Sequence, residues 1–259
     1  MNAIFSRYFV LEQGIFMKTT GEAPLPPEQE KAGYVREMFA SIAPRYDLLN
    51  DILSFQRHRL WRKKAVQMAG LKTGDTALDV CTGTGDFALD LKQVTGKSGI
   101  VIGADFCRPM LMHGASKMRS CKQGNIPILM ADTLQLPFQS NSFDCVTVGF
   151  GIRNVADTRQ AFKEMTRTAK SGGKVICLEF SSPRHWFWRP IVLFYQMRVL
   201  PFIGGILSRK EAYNYLPNSI EAFHSRENLA KIMQEAGLIN ISITDMNFGS
   251  VCIHMGIKP

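Results

Sequence analysis

The fold is decided by the stretch L-D-V-C-T-G-T-G-D, which occupies residues 78–86. The apolar run Thr76–Cys81 predicts a short buried strand, and Asp86 opens a helical pattern that ends near Thr95. Glycines at such a junction let the backbone approach a ligand closely, and the helix N-terminus presents unpaired N–H groups. The stretch therefore predicts a ligand-binding loop at the carboxyl end of the first strand of an α/β sheet.

Strands and helices alternate through most of the remaining sequence. Further strands are predicted at Gly99–Asp105, Ile126–Ala131, Phe143–Phe150 and Gly173–Phe180, and helices at Arg108–Arg119, Asp157–Ala169 and Ser225–Gly237. Two more strands, Leu238–Asp245 and Val251–Ile257, are separated by a turn that contains Asn247 and Gly249, so they should form a hairpin. We expect a Rossmann-like α/β fold whose seven-stranded sheet is parallel except for this C-terminal antiparallel hairpin.

Two segments lie outside this alternation of strands and helices, and we interpret them as a cap and an insertion added to a single domain. Residues 29–70 have a helical pattern, broken at Pro44, and predict a helical N-terminal cap that precedes the sheet. Residues 183–218 fit no strand–helix unit and predict an insertion with helices of its own. Residues 1–28 lack the features of a signal peptide and contain prolines, so a flexible tail before a domain at 29–259 is expected.

The composition narrows the class of partner. The 259 residues include 31 Lys and Arg against 22 Asp and Glu, and the formal net charge of +9 favours nucleic acid, an acidic membrane surface or an anionic small molecule. Six cysteines form no C-x-x-C pair and none has a histidine at zinc-finger spacing. We therefore expect neither a metal site nor a disulfide framework, and a location in the reducing cytoplasm.

The glycine loop is compatible with more than one cofactor. Gly83–Ala88 satisfies G-x-G-x-x-A, the dinucleotide pattern, and Asp105 ends the second strand, where a carboxylate accepts hydrogen bonds from ribose hydroxyls. S-adenosylmethionine is favoured over a nicotinamide cofactor by Asp79, which precedes Gly83 and Gly85 inside the strand, and by the final hairpin. A glycine turn that binds nothing is the plain alternative.

Two further aspartates have different predicted roles. Asp132 follows the third strand, where adenosylmethionine enzymes contact the adenine, and is a candidate acceptor for its exocyclic amine. Aspartate is also common at strand ends because it stabilises turns, so this role has a structural alternative. Asp144 is expected to brace the sheet without touching a ligand.

Three longer stretches resemble one enzyme family. They are V-R-E-M-F-A-S-I-A-P-R-Y-D-L-L-N-D-I-L-S-F-Q-R-H-R-L-W-R (35–62), V-G-F-G-I-R-N-V-A-D (148–157) and G-G-K-V-I-C-L-E-F-S-S-P (172–183). From about Phe39 onward the chain resembles the demethylmenaquinone and ubiquinone-precursor C-methyltransferases, which are class I S-adenosylmethionine-dependent methyltransferases. The first two stretches are specific to that family, whereas the glycine loop is shared by methyltransferases at large.

The resemblance implies a reaction and a cofactor site. The reaction is transfer of a methyl group from S-adenosylmethionine to a ring carbon of a polyprenylated quinol. The favoured substrate is demethylmenaquinol, which becomes menaquinol, and a ubiquinone precursor is a further candidate substrate. The implied cofactor-binding residues are Asp79, Gly83, Thr84, Gly85, Asp105, Phe106, Asp132, Thr133 and Gly149. Many relatives have Asn-Ala at positions 132 and 133 and Ser at 149, so one side-chain contact is expected to be lost at Gly149.

Methylation of a quinol carbon also requires groups that activate the ring. The carbon becomes nucleophilic when the neighbouring hydroxyl loses its proton, so an oxyanion must be stabilised. Arg153 stays charged and is expected to stabilise that oxyanion or to orient a water molecule. Asn154 is expected to hold that water or the hydroxyl in place, and Tyr46 is the third candidate catalytic residue. The alternatives are an ion pair between Arg153 and Asp157, a capping Asn154 and a core Tyr46.

The apolar substrate tail calls for an apolar surface. Residues 185–207 supply one with tryptophans beside arginines, although its longest uncharged run, residues 199–208, is too short to span a bilayer. A dimer interface or a core insertion would have the same composition. The basic, aromatic run Arg57–Lys64 is either a solvated helix face or a second membrane contact, with RNA a distant third.

The expected partners are thus a polyprenylated quinol and an anionic membrane surface at the inner face of the membrane, with a homodimer as a further candidate. Nucleic acid is disfavoured because no RNA-binding motif is appended. The remaining alternatives are methylation of another small molecule or of RNA, a nicotinamide oxidoreductase, and a non-catalytic lipid-carrier binding protein. The intact Gly83, Gly85 and Asp105 argue against the last of these.

Overall fold

The structure is a computed structural model, and it describes residues 26–122, 124–183, 187–195 and 210–259. The predicted tail, residues 1–28, lies almost wholly outside the described residues, as does much of the predicted insertion, including the apolar run 199–208. Within the described ranges, every helix is too short or too polar to cross a bilayer.

The part of the chain that the structure describes contains one seven-stranded sheet. Its strands are β1 (Thr76–Val80), β2 (Ile100–Asp105), β3 (Ile128–Met130), β4 (Phe143–Gly149), β5 (Ala169–Phe180), β6 (Ile239–Met246) and β7 (Val251–Ile257). They are arranged in the order β3-β2-β1-β4-β5-β7-β6. Neighbours are parallel, except that β7 is antiparallel to both β5 and β6. The predicted mostly parallel sheet and its hairpin are confirmed.

Helices surround this sheet. They are α1 (Glu28–Ile42), α2 (Tyr46–Leu53), α3 (Arg57–Ala69), α4 (Asp86–Thr95), α5 (Arg108–Arg119), α6 (Thr158–Thr168), α7 (Arg189–Phe194), α8 (Lys210–Glu221) and α9 (Arg226–Glu235). Pro44 lies in a 3₁₀ turn between α1 and α2, because proline cannot donate the hydrogen bond that would continue α1. The side chains of Asp157 and Ser225 cap α6 and α9 by accepting from backbone N–H groups.

Both faces of the sheet are buried. Successive strand residues point to opposite faces, so Leu78 packs in one apolar cluster and Ala77 in another. Phe162 of α6 belongs to the first cluster, and Trp61 of α3 belongs to the second. Truncating Phe162 to alanine would cost about 3–5 kcal/mol. Because α3 packs on the sheet and contacts α2, it holds α2 over the carboxyl ends of the strands.

Asp144 braces the opposite edge of the sheet, as predicted. Its Oδ2 accepts hydrogen bonds from the backbone N and the hydroxyl of Thr76, both at 2.8 Å, and pairs with Lys170 Nζ at 2.8 Å. Burial alone would raise the pKa of this carboxyl, but Lys170 and Thr76 hold it below its usual value. The side chain thus links the starts of β1, β4 and β5.

Candidate functional site

Two cavities lie at the carboxyl ends of the parallel strands. The larger has a volume of about 480 Å³ and the smaller about 140 Å³. Six residues line both cavities: Phe39, Tyr46, Cys81, Gly83, Gly149 and Phe150. The cavities are therefore two compartments of one site, separated by the start of the glycine loop and the end of β4, and we call them the larger and the smaller compartment.

The glycine loop turns sharply away from β1. Cys81 was predicted to end the strand, but its φ of 53° takes the backbone out of the sheet, and β1 ends one residue earlier. Gly83 and Gly85 also have positive φ, of 57° and 85°. The backbone N of Gly83 donates to Asp105 Oδ2 at 2.8 Å, and Cys107 N donates to Oδ1 at 2.8 Å. These bonds fix the Asp105 carboxyl, whose pKa is raised by burial.

Helix α5 approaches this loop more closely than the sequence indicated. A Cβ added to Gly114 would lie 2.3 Å from the carbonyl oxygen of Thr84, so only glycine permits this contact. A Cβ on Gly85 would meet the flexible Met118 side chain instead, at 2.3 Å. Gly114 was not predicted as a site residue. The only signal for it is a glycine inside an otherwise regular helix.

The smaller compartment brings together residues from the carboxyl ends of four strands. The predicted cofactor residues that line it are Gly83, Asp105, Phe106, Asp132, Thr133 and Gly149, and Asn154 lines it as well. Asp132 Oδ1 accepts from Leu134 N at 2.9 Å, so this carboxyl also stabilises its own turn. Helix α1 lies over the compartment and contributes Ala32 and Val35 to its wall.

Asp79 and Thr84 line the larger compartment, and the side chains of both form hydrogen bonds within the protein. Asp79 accepts from Thr82 Oγ1 at 2.6 Å and from Thr147 Oγ1 at 2.8 Å. Thr84 Oγ1 donates to Asp47 Oδ1 of α2 at 2.5 Å. Thr84 therefore ties the N-terminal cap to the glycine loop.

An ion-pair network strengthens that tie. Lys117 Nζ of α5 lies 2.7 Å from Asp47 Oδ2 and 2.5 Å from Asp86 Oδ1, and Arg62 of α3 lies 3.3 Å from Asp86 Oδ2. Burial raises the pKa of Asp86, but Arg62 and Lys117 outweigh it and hold the pKa below its usual value. These pairs could not be predicted from sequence patterns, because their members lie on different helices.

Asp79 gives the stability of the protein a specific pH dependence. Burial raises its pKa to about 7, well above that of an unfolded aspartate, so its contribution is fully present below about pH 4 and lost between about pH 4 and 7. We expect Asp79→Asn to match the wild type at pH 4 and to exceed it at pH 8, by on the order of 1–4 kcal/mol. Urea unfolding of both proteins at pH 4, 6 and 8 measures this, and a pH-independent difference contradicts it.

Arg153 is buried beside the larger compartment and paired with an unexpected partner. Its Nη1 donates to Glu179 Oε1 at 2.7 Å and to the carbonyl oxygen of Phe150 at 2.6 Å. The side chains of Arg153 and Glu179 are 6% and 1% exposed, so this is a buried ion pair. Arg153 thus pairs with Glu179 and not with Asp157, the alternative partner, whose Oδ1 accepts from Gln160 N at 3.0 Å. Both bonds engage Nη1, and Nε is buried without a hydrogen-bond partner among the described residues.

The other two predicted catalytic residues occupy different walls. Asn154 is buried and lines the smaller compartment, with its Oδ1 accepting from the hydroxyl of Tyr215 at 3.1 Å. Tyr46 lines both compartments, and its ring packs edge-on against Phe39 with centroids 6.0 Å apart. Burial raises the pKa of Tyr46, so its hydroxyl stays protonated at neutral pH. Tyr215 and Glu179 were not predicted from the sequence.

The chain is similar to known proteins over most of its length. The chain is 40% identical over 232 residues to a demethylmenaquinone methyltransferase of Shouchella clausii, covering 89% of this chain and 99% of that protein. It is 39% identical over 231 residues to the enzyme of that name from Alkalihalophilus pseudofirmus, covering 89% and 98%. An S-adenosylmethionine-dependent methyltransferase from Thermotoga maritima shares the fold with a TM-score of 0.62 at 18% identity, over 86% of this chain and 99% of that one.

The Thermotoga structure shares the fold of this chain. The relatives at about 40% identity and the family model place the chain in the class of S-adenosylmethionine-dependent methyltransferases. Within that class, a family model matches residues 28–258. The chain belongs to the ubiE/COQ5 methyltransferase family. The resemblance seen in the sequence is thereby confirmed.

Proposed function

We propose that the chain transfers a methyl group from S-adenosylmethionine to a ring carbon of a polyprenylated quinol, with demethylmenaquinol as the substrate and menaquinol as the product. The observation that carries this proposal is the pair of adjoining compartments, with a fixed arginine beside the larger one. The names of the relatives at about 40% identity support the choice of quinol.

The smaller compartment suits the adenosine part of the cofactor. Asp105 has the position of a ribose acceptor, and Asp132 and Thr133 lie beside it as candidates to contact the base. Gly149 lines both compartments, and a Cβ there would lie 2.8 Å from the Phe87 ring, so a side chain at this position would displace that ring. When bound, S-adenosylmethionine would supply an electrophilic methyl group on a positively charged sulfur.

Arg153 is the residue that makes the ring carbon nucleophilic in this proposal. Its charge is permanent and its position is fixed by Glu179, so it stabilises a quinol oxyanion without reorganising at the moment of reaction. Tyr46 is protonated at neutral pH and acts as a hydrogen-bond donor toward the same region. Neither residue accepts the proton, and the quinol hydroxyl releases it to water. As the bond from the methyl group to the ring carbon forms, its bond to sulfur breaks and S-adenosylhomocysteine leaves. Loss of the proton from that carbon restores the aromatic ring.

The larger compartment also suits a long apolar tail. The apolar side chains that line it include Leu49, Leu53, Phe55, Trp188, Val192 and Phe248. They come from the N-terminal cap, from α7 and from the turn before β7, so the two additions predicted around the sheet meet here. We assign this apolar wall to the prenyl chain and the Arg153 end to the ring.

The test is incubation of the purified protein with methyl-labelled S-adenosylmethionine and a short-chain reduced demethylmenaquinone, followed by mass spectrometry. We expect one labelled methyl group, bound to ring carbon. A benzoquinol of the same tail length is the parallel substrate, and S-adenosylhomocysteine binding is measured alongside. Tight binding of S-adenosylhomocysteine without methylation of the naphthoquinol overturns the assigned substrate, and methylation of the benzoquinol alone replaces it.

We further propose that the protein docks on an anionic membrane surface through an aromatic rim, defined as Phe55, Trp188, Tyr195 and Phe248. The rim lines the larger compartment, and Phe55 and Phe248 are 72% and 53% exposed. Exposed aromatic side chains suit a lipid interface, and the net charge of +9 complements anionic headgroups. The proposed location is the cytoplasmic face of the membrane, where the quinol partitions.

Sedimentation with phosphatidylglycerol or phosphatidylcholine vesicles tests this surface. We expect binding to the anionic vesicles and its loss in the double variant Phe55→Ser and Phe248→Ser. Met112→Ser is the matched control, since Met112 is 63% exposed on α5. Unchanged sedimentation of the double variant contradicts the proposal. If the same variant instead converts a dimer to a monomer in light scattering, the rim contacts a second copy of the chain.

A further inference from the structure

Tyr215 connects the two compartments through a single hydrogen bond. It lies on α8, is 4% exposed, and lines the larger compartment. Its hydroxyl donates to Asn154 Oδ1 at 3.1 Å, and Asn154 lines the smaller compartment. The bond therefore crosses the wall between the space assigned to the quinol and the space assigned to adenosine.

This bond orients the Asn154 amide. The carbonyl oxygen of the amide is the acceptor for the Tyr215 hydroxyl, so the NH₂ group is turned away from Tyr215. Asn154 Nδ2 is buried and has no hydrogen-bond partner within the described parts of the chain. A buried donor without a partner destabilises the folded protein, and a ligand that accepts its hydrogen bond relieves that cost.

Tyr215 is itself held in place from the other side. Its ring packs against Tyr34 of α1, with centroids 5.6 Å apart. Helix α1 also contributes to the wall of the smaller compartment, through Ala32 and Val35. The hydroxyl of Tyr215 is thus positioned by an aromatic contact that does not involve Asn154.

From this geometry we infer that Tyr215 is a positioning residue. It fixes the amide of Asn154 so that Nδ2 donates to an oxygen of the bound cofactor in the smaller compartment. Asn154 then acts on the cofactor and not on the quinol, which differs from the role expected from the sequence. This inference rests on the proposed assignment of the smaller compartment to adenosine.

The experiment measures binding of S-adenosylhomocysteine by calorimetry, without any turnover. We expect Tyr215→Phe to weaken binding about 3- to 10-fold, because the amide is free to rotate once the hydroxyl is gone. Asn154→Ala should weaken binding by a similar or larger factor. In the Asn154→Ala background, Tyr215→Phe should have no further effect, since Tyr215 acts only through that amide.

Tyr34→Phe is the matched control, because it removes a hydroxyl from the neighbouring ring of the same aromatic pair; we expect unchanged affinity. Equal affinities of Tyr215→Phe and the wild type overturn the inference, as do additive losses in the double variant, which indicate a merely structural contact. Thermal denaturation of each variant identifies losses due to unfolding. A wild-type protein that does not bind S-adenosylhomocysteine would instead refute the proposed function.

Discussion

Replacing Arg153 by methionine in a chain that also carries Glu179→Gln will lower the rate of methyl transfer by roughly 10²- to 10³-fold, the loss typical of a removed oxyanion donor. The paired change is required because the two side chains form a buried ion pair. Arg153→Ala alone would strand the Glu179 carboxylate inside the protein and cost about 3–5 kcal/mol of stability. Replacing both charges with neutral groups of similar volume avoids that penalty, so the remaining loss reports on catalysis.

Steady-state rates, S-adenosylhomocysteine binding and thermal denaturation are measured on the same preparations. We expect the affinity for S-adenosylhomocysteine to change little, because Arg153 lines the larger compartment and not the smaller one. The matched control is Arg167→Met with Glu164→Gln, an Arg–Glu pair on α6 away from the site, with 2.7 Å between its charged atoms. A rate within threefold of the wild type would remove Arg153 from the mechanism, and a parallel loss of affinity would move it to the cofactor site.

Gly114→Ala is expected to weaken cofactor binding by about tenfold or more and to destabilise the protein by about 1–3 kcal/mol, the range for overpacked sites. The added methyl would lie 2.3 Å from the oxygen, 2.6 Å from the carbon and 2.8 Å from the Cα of Thr84. These are backbone atoms between Gly83 and Gly85, so no side-chain rotation relieves the contact. Either α5 moves outward or the glycine loop is distorted, and both change the wall of the cofactor site.

The control is the same substitution at Gly33 on α1, where an added Cβ has no atom within 4 Å. Gly33→Ala should stabilise the protein by about 0.5–1 kcal/mol, because alanine favours the helix. Calorimetry with S-adenosylhomocysteine and urea unfolding measure both variants. If Gly114→Ala behaves like the wild type in both measurements, the contact between α5 and the loop relaxes freely and has no role in binding.

The sequence was sufficient for the sheet and the glycine loop because both depend on local patterns. Residues 78–86 contain the strand end, the turn and the helix start within nine positions, and Asp105 follows at the end of the next strand. The hairpin was predictable for the same reason, since β6 and β7 are joined by one short turn. The observed β3, Ile128–Met130, is shorter than the predicted run Ile126–Ala131. Pro127, just before it, has no backbone N–H to donate to the sheet.

The partners of the site residues could not be predicted in this way. Glu179 lies 26 positions from Arg153, and Tyr215 lies 61 positions from Asn154. Asp47 lies 37 positions from Thr84, on a helix of the N-terminal cap. Such pairs depend on how the helices pack over the sheet, and the spacing of apolar residues along the sequence does not determine that packing. The sequence was enough to predict that Arg153 lies at the carboxyl edge of the sheet. Its ion-pair partner, Glu179, could be identified only from the folded structure.

The position of β7 between β5 and β6 has a consequence for biosynthesis. Strands β5 and β6 both pair with β7 and not with each other. During synthesis, β6 is therefore made before β7, the strand that joins it to the sheet. Until Val251–Ile257 is synthesised, β5 presents an open edge, and the apolar cluster that contains Val251 and Ile253 is incomplete around Trp61. Open edges and exposed apolar surface favour aggregation of nascent chains. Pairing of β7 therefore closes the edge at which the incomplete sheet could associate with other chains.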